Sequence, residues 1–312
     1  MRFPLLRRAL RAFALLLAPL APAAQAQQTF PTPRPNVTVP LERIEARTLR
    51  PALWKVSDAD TTIWLFGTIH ALPKGLDWLN GPVAAAFDHS AELVTELPDV
   101  DPAAVQALVL EKGTLPQGQT LRGAIGPADA ARVEAALARL KLPPAALDRL
   151  KPWYAAIVLG SVPLSRSGIT GQQGVEDALA ARAKAQGKPR AGLETMAQQL
   201  DMFDRLPLAK QKDLLREAVD GGDTVKALGE MVDDWGRGDV PALAAALADS
   251  ELEGVFAKAL VADRNRAWAD WVAARLDKPG EVFVAVGAGH LAGTDSLIEA
   301  LPRRGIAVTR VQ

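Results

Sequence analysis

Short apolar runs separated by long Ala- and Leu-rich stretches of helical spacing set the pattern of this chain. Leu53 to Val56 and Thr62 to Phe66 are apolar runs divided by Ser57-Asp58-Ala59-Asp60, which predicts a strand, a turn and a strand. Val83 to Phe87 suits a short helix, and Glu92 to Leu97 a further strand stopped by Pro98. From Asp101 to about Leu164 the apolar positions recur with helical period, with Pro127 and Lys151-Pro152 marking helix starts. Gly174 to Gln186 reads as a helix with acids in its first turn, Arg190 to Leu193 as a short strand, and Thr195 with Gln198 as a capping box. Helices fill most of Met196 to Leu276, Glu281 to Val286 returns to strand, Ser296 to Leu301 to helix, and Ile306 to Val311 closes the chain as a strand. Strands joined by long helical crossovers imply an α/β fold with a mainly parallel or mixed sheet, because tight turns cannot join parallel neighbours. The folded unit is expected to be a single domain over 52–312 with helical insertions at about 101–172 and 196–276.

The amino terminus departs from this pattern. Arg2, Arg7, Arg8 and Arg11 precede the apolar run Ala12 to Leu20 and the small-residue site Ala24-Gln25-Ala26, with no acid in the stretch, which is the layout of a secretory signal peptide cleaved after Ala26. The run is about half the roughly 20 residues of a spanning helix, so no permanent membrane anchor is expected. Residues 27–51, with five prolines among polar residues, read as an extended, poorly ordered leader. A periplasmic or secreted location follows. The whole chain balances 36 basic against 36 acidic residues, and loss of the four signal arginines leaves a net charge of −4 with histidine neutral, so no basic face for nucleic acid is expected. Cysteine is absent, which excludes disulfides, thiolate nucleophiles and Cys-based metal centres.

Candidate chemistry gathers at strand ends. Two of the three histidines follow a hydrophobic strand and a Gly-x-x-His motif, at Gly67-Thr68-Ile69-His70 and Gly287-Ala288-Gly289-His290. Glu96 and Glu194 end two further strand-like runs, and the carboxyl ends of parallel strands share one edge where ligands bind. Two neutral imidazoles and a carboxylate, His70, His290 and Glu96, suit a divalent zinc, manganese or cobalt ion with positions open to water. The glycines are expected to let the backbone turn sharply so that each histidine projects over the edge. A lone strand-end histidine is usually structural; the repeated context is what singles out this pair. His89 is expected on the surface, and Trp268 and Trp271 in the core. Arg264 lies four residues from both Leu260 and Trp268, on an apolar helix face, where a guanidinium needs a carboxylate partner or ligand. The match of Gly287 to Ala292 to a dinucleotide-binding pattern lacks the following acid, and no serine-hydrolase elbow, P-loop or H-E-x-x-H motif occurs.

These motifs, with Gly174-Val175-Glu176, Gly192-Leu193-Glu194-Thr195 and Asp263-Arg264-Asn265, resemble the TraB/GumN family from about Trp54 to Val311. That family includes the metal-dependent Tiki proteases, and its wider clan resembles erythromycin esterases and haem-binding lipoproteins. The resemblance implies a reactive centre of His70, Glu96 and His290, with Arg264 acting beside them and Glu176, Glu194 and Asn265 around it. With a peptide or small ester as substrate, three functions are open on this basis: an exported metal-dependent hydrolase, read first as a peptidase, in which Glu96 is a ligand or the base that activates water; an esterase-like metal-free hydrolase in which His70 and Glu96 activate water; and a non-enzymatic binder of metal, haem or peptide. Fold likeness does not choose among them.

Overall fold

The first two strands, β1 (Leu53–Ser57) and β2 (Thr61–Thr68), pair antiparallel from Leu53 opposite Phe66 to Ser57 opposite Thr62. Asp58 makes the turn: its Oδ1 accepts the backbone N–H groups of Asp60 and Thr61 at 3.1 and 2.8 Å. Four more strands, β3 (Glu92–Thr95), β4 (Arg190–Gly192), β5 (Gly280–Gly287) and β6 (Thr309–Arg310), complete one six-stranded sheet of order β4-β3-β5-β2-β1-β6. The four strands β4, β3, β5 and β2 run parallel, and β1 and β6 close one side antiparallel. The sheet is therefore mixed around a parallel centre. The final strand is shorter than Ile306 to Val311: the regular ladder with β1 holds Thr309 and Arg310, and Val311 and Gln312 bond to Leu53 just past it.

This computed structural model describes residues 48–99, 101–169, 174–220, 222–248 and 261–312. The expected signal peptide, and the leader as far as residue 47, lie outside them. Residues 48–51 belong to the packed fold and not to a loose leader: Leu49 is 2% exposed, its N–H bonds to Asp77, and Arg50 bonds to Gly236.

Alternation along the strands builds two cores on the two faces of the sheet. Ile63, Leu65, Val94, Val282, Val284 and Val286 face one side, where they meet Trp268, Ala269 and Val272. Phe66, Leu93, Phe283 and Ala285 face the other, where they meet Phe87, Val175, Leu179 and Trp235. The helices on the second face include α1 (Gly81–His89), which places His89 at an exposed terminus. A third core is helical: α2 (Pro102–Gly113), α3 (Leu121–Ile125), α4 (Pro127–Arg139) and α5 (Pro152–Arg166) pack around Trp153, Tyr154 and Ile157. Pro127 and Pro152 open their helices, as expected of proline in a first turn.

Next in the chain are α6 (Val175–Ala185) and α7 (Met196–Asp204), the latter started by the Thr195–Gln198 capping box. Then follow α8 (Leu208–Asp220), α9 (Thr224–Gly236), α10 (Val240–Ala248), α11 (Asp263–Leu276) and, past β5 and the 3-10 turn Ala288–Leu291, α12 (Leu297–Ala300). On α9, Trp235 meets Phe66 and Trp78 edge to face and donates its indole N–H to the carbonyl of Gly67 at 2.8 Å. The end of β2 is thus clamped just before His70. Among the described residues no helix is long and apolar enough to cross a membrane.

Candidate active site

The parallel register brings the four predicted strand-end groups to one edge in the spatial order Glu194, Glu96, His290, His70, following β4, β3, β5 and β2. None of these glycines turns the backbone sharply, and Gly67 is required by close packing. Gly67, Gly287 and Gly289 are absent from the left-handed region, and a Cβ on Gly67 would sit 3.1 Å from the backbone of Ala288. Thr68 pairs with Gly287 at the last rung of β2 and β5, which sets the two Gly-x-x-His segments side by side.

Arg264 is the hub. It lies in the first turn of α11, with its guanidinium 4.6 Å from the Trp268 ring one helical turn away. This contact confirms the shared face of Arg264 and Trp268; Leu260, the other residue of that expected stripe, lies outside the described residues. Nη2 donates to Glu96 Oε2 at 2.6 Å and also to Glu194 Oε1, Nε donates to Glu194 Oε2 at 3.0 Å, and Nη1 meets His290 Nε2 at 2.8 Å. Glu96 is only 7% exposed, and its second oxygen accepts the backbone N–H of Gly287 at 2.7 Å, so it ties the end of β3 to the end of β5.

His290 is held in one tautomer. The Asn265 amide nitrogen donates to the Asp295 carbonyl at 2.7 Å, which turns Asn265 Oδ1 toward His290 Nδ1 at 2.8 Å. Nδ1 therefore carries the proton and Nε2 accepts from Arg264. Burial and the adjacent Arg264 charge, against the opposing pull of Glu96, push the His290 pKa down to about 3, so the ring is neutral across ordinary pH. Its ring centroid is 4.4 Å from that of Trp268.

His70 is arranged in the opposite sense. Its Nδ1 contacts Glu176 Oε1 at 2.7 Å, and that carboxylate also accepts from the Thr68 hydroxyl. Burial disfavours the charged ring, but the charge and hydrogen bond of Glu176, reinforced by Glu96, prevail and raise the pKa to about 9. His70 Nε2 and Glu176 Oε2 are both buried with no hydrogen-bond partner among the described residues. Buried polar atoms of this kind are uncommon and point to a ligand, water or proton-transfer role.

The two carboxylates on Arg264 differ as bases. Burial opposes ionisation of Glu96, yet Arg264, His290, His70 and the Gly287 N–H hold its pKa down at about 2. Glu194 moves the other way: burial raises its pKa despite the pull of Arg264. Gln199, which the motif reading missed, joins them, because its amide nitrogen donates to Glu96 Oε2 at 3.0 Å and to Glu194 Oε1 at 2.6 Å. A signal for it exists in the sequence: on α7 it shares the buried stripe of Met196, Leu200 and Phe203, where an uncharged polar residue requires buried partners.

The donor set as arranged does not fit the divalent ion expected from the sequence. The lone pair of His290 Nε2 is directed at Arg264, and of the Glu96 oxygens Oε2 accepts from Arg264 and Gln199 while Oε1, the nearer to His290, accepts from the Gly287 N–H. Among the described residues no group of three or more His, Asp or Glu side chains is disposed to hold a metal ion.

The architecture defines an α/β protein with a polar cluster at the carboxyl ends of a parallel sheet centre. The chain belongs to the TraB/PrgY/gumN family, whose model matches residues 52–310. It is 27% identical over 217 residues to the uncharacterized protein YbaP of Escherichia coli (strain K12), covering 67% of this chain and 80% of the relative. An uncharacterized protein of Treponema pallidum (strain Nichols) is 23% identical over 276 residues, 80% of each chain. No solved structure matches.

Proposed function

We propose that this chain is an exported hydrolase of peptide or small ester substrates in which His70, oriented by Glu176, transfers protons. One observation carries the reading: an imidazole fixed at Nδ1 by a carboxylate while its buried Nε2 has no partner among the described residues. A third group that orients the imidazole and leaves one nitrogen for the reacting molecule is the recurring logic of acid–base sites. With a pKa of about 9 the ring is an imidazolium at neutral pH, and Nε2–H is a donor. Glu194 is the stronger base of the Arg264-bound carboxylates, in place of Glu96. In the proposed step Glu194 takes a proton from water, the water oxygen bonds to the substrate carbonyl carbon, and the C–N or C–O bond breaks. The leaving group takes its proton from His70 Nε2. Arg264 offsets the negative charge of the carboxylates and, with Asn265 behind it, keeps His290 neutral.

Purified chain assayed against peptide and ester panels should show turnover that His70→Ala lowers by about 10²- to 10⁴-fold. His89→Ala should leave it intact, and activity should fall as pH rises through about 9. Full activity in His70→Ala would sink the reading. Activity abolished by chelation and restored by one added metal would replace it with the metal-dependent hydrolase, and retention of peptide or haem without turnover would replace it with a binder. The exported protein should begin at Gln27.

A further inference from the structure

We propose that Arg264 is the permanent cation of this site and fills the seat that a divalent ion would otherwise take. The hydrogen bonds make the two occupants mutually exclusive. Asn265, committed to the Asp295 carbonyl, fixes the proton on His290 Nδ1, so the sole lone pair of that ring points from Nε2 to Arg264 Nη1 at 2.8 Å. A metal–imidazole bond is about 2.0 to 2.1 Å along that same direction, which would put an ion within about 1 Å of the guanidinium nitrogen. Glu96 Oε2, at 2.6 Å from Nη2, is likewise spent.

The site is also completed around a planar guanidinium and not around a point charge. Glu194 takes Nε with one oxygen and Nη2 with the other, which is the bidentate match of carboxylate to arginine. The neutral donors Gln199 Nε2 and Gly287 N–H complete the hydrogen bonding of the two carboxylates. Trp268 covers a face of the guanidinium. Lysine offers none of this geometry.

The test is a calorimetric titration of Mn²⁺, Co²⁺ and Zn²⁺ into the chelator-treated full chain, beside Arg264→Gly and His290→Ala. The wild type should show no stoichiometric uptake that depends on His290. Uptake undiminished in His290→Ala lies elsewhere on the molecule and leaves the seat to Arg264. One-to-one binding to the wild type that His290→Ala abolishes overturns the proposal. Arg264→Gly should take up at least one of the metals one-to-one, at least about 10-fold more tightly than the detection limit that the wild-type titration sets for this seat, an increment of the size set by the surroundings of a metal site. It should also gain thermal stability from added methylguanidinium, whereas the wild type should not. A folded Arg264→Gly that answers neither to metal nor to methylguanidinium also counts against the seat. Should that variant fail to fold, the wild-type and His290→Ala titrations still decide. The proposal concerns the cluster used in the hydrolase reading, but a titration needs no turnover, so either can fail without the other.

Discussion

Two imidazoles that share a sequence motif occupy opposite charge states, because burial disfavours the charged ring of both and only His70 has a carboxylate that overcomes it. Glu176 makes His70 a cation, and burial, helped by Arg264, keeps His290 neutral. Each state has its own pH signature in stability. The His70 pKa is raised from 6.5 to about 9, so its contribution is complete below pH 6.5 and is lost as pH rises through about 9. The His290 pKa is lowered from 6.5 to about 3, so its contribution is complete above pH 6.5 and is lost as pH falls toward 3, followed by that of Glu96 between 4.5 and about 2. Thermal unfolding measured from pH 4 to 10 should therefore decline on both sides of a maximum near pH 6.5. His70→Gln should flatten the alkaline side while leaving the acid side in place. An alkaline decline of the same steepness in His70→Gln would show that His70 is not held as a cation.

At the scale of elements, the charge on His70 depends on how closely α6 can approach the end of β2. The N–H of Val175 bonds to the Ile69 carbonyl at 3.0 Å, and Gly174 lies so near that a Cβ there would fall 2.4 Å from the His70 carbonyl oxygen. Its φ of −77° suits any residue, so the glycine is required by space and not by backbone conformation. Gly174→Ala must push α6 outward, at an overpacking cost of about 1 to 3 kcal/mol, and draw Glu176 away from His70. A histidine NMR titration should then find the His70 pKa displaced from about 9 toward 6.5. An unmoved pKa would show that the contact survives. The sequence marks Gly174-Val175-Glu176 only through family resemblance, since the reason for the glycine lies over a hundred positions away at His70. The strand ends were legible because alternation and Gly-x-x-His are local patterns. Gln199 and the tautomer held by Asn265 were not, because each acts through partners that only the completed sheet edge brings near. The short β6 escaped for a related reason: Ile306 and Val308 are apolar enough for a strand, but they pack against the core beneath β1 without joining its ladder.

Across the whole molecule, the site stands where three separately packed cores meet. Arg264 and His290 come from elements packed with Trp268 and Val286 on one sheet face, and Glu176 comes from α6, whose Val175 and Leu179 pack on the other. Gln199 comes from α7, whose Met196, Leu200 and Phe203 belong to the helical core with Trp153 and Tyr154. The link between that helical core and the sheet includes the two hydrogen bonds of Gln199, so local opening of the helices should release Glu96 and Glu194 from it while the sheet stays intact. Leu214 on α8 is 2% exposed and sits within the helical core. Leu214→Ala should cost about 2 to 5 kcal/mol through the cavity it leaves. Native-state hydrogen exchange should then quicken by roughly 30-fold or more in α4, α5 and α8, the factor equivalent to about 2 kcal/mol. The Gln199 side-chain amide should quicken in step, while β2 and β5 keep their protection because their packing is untouched. Equal acceleration in β2 and β5 would mean that helices and sheet open as one cooperative unit, and that Gln199 cannot leave the carboxylates without global unfolding.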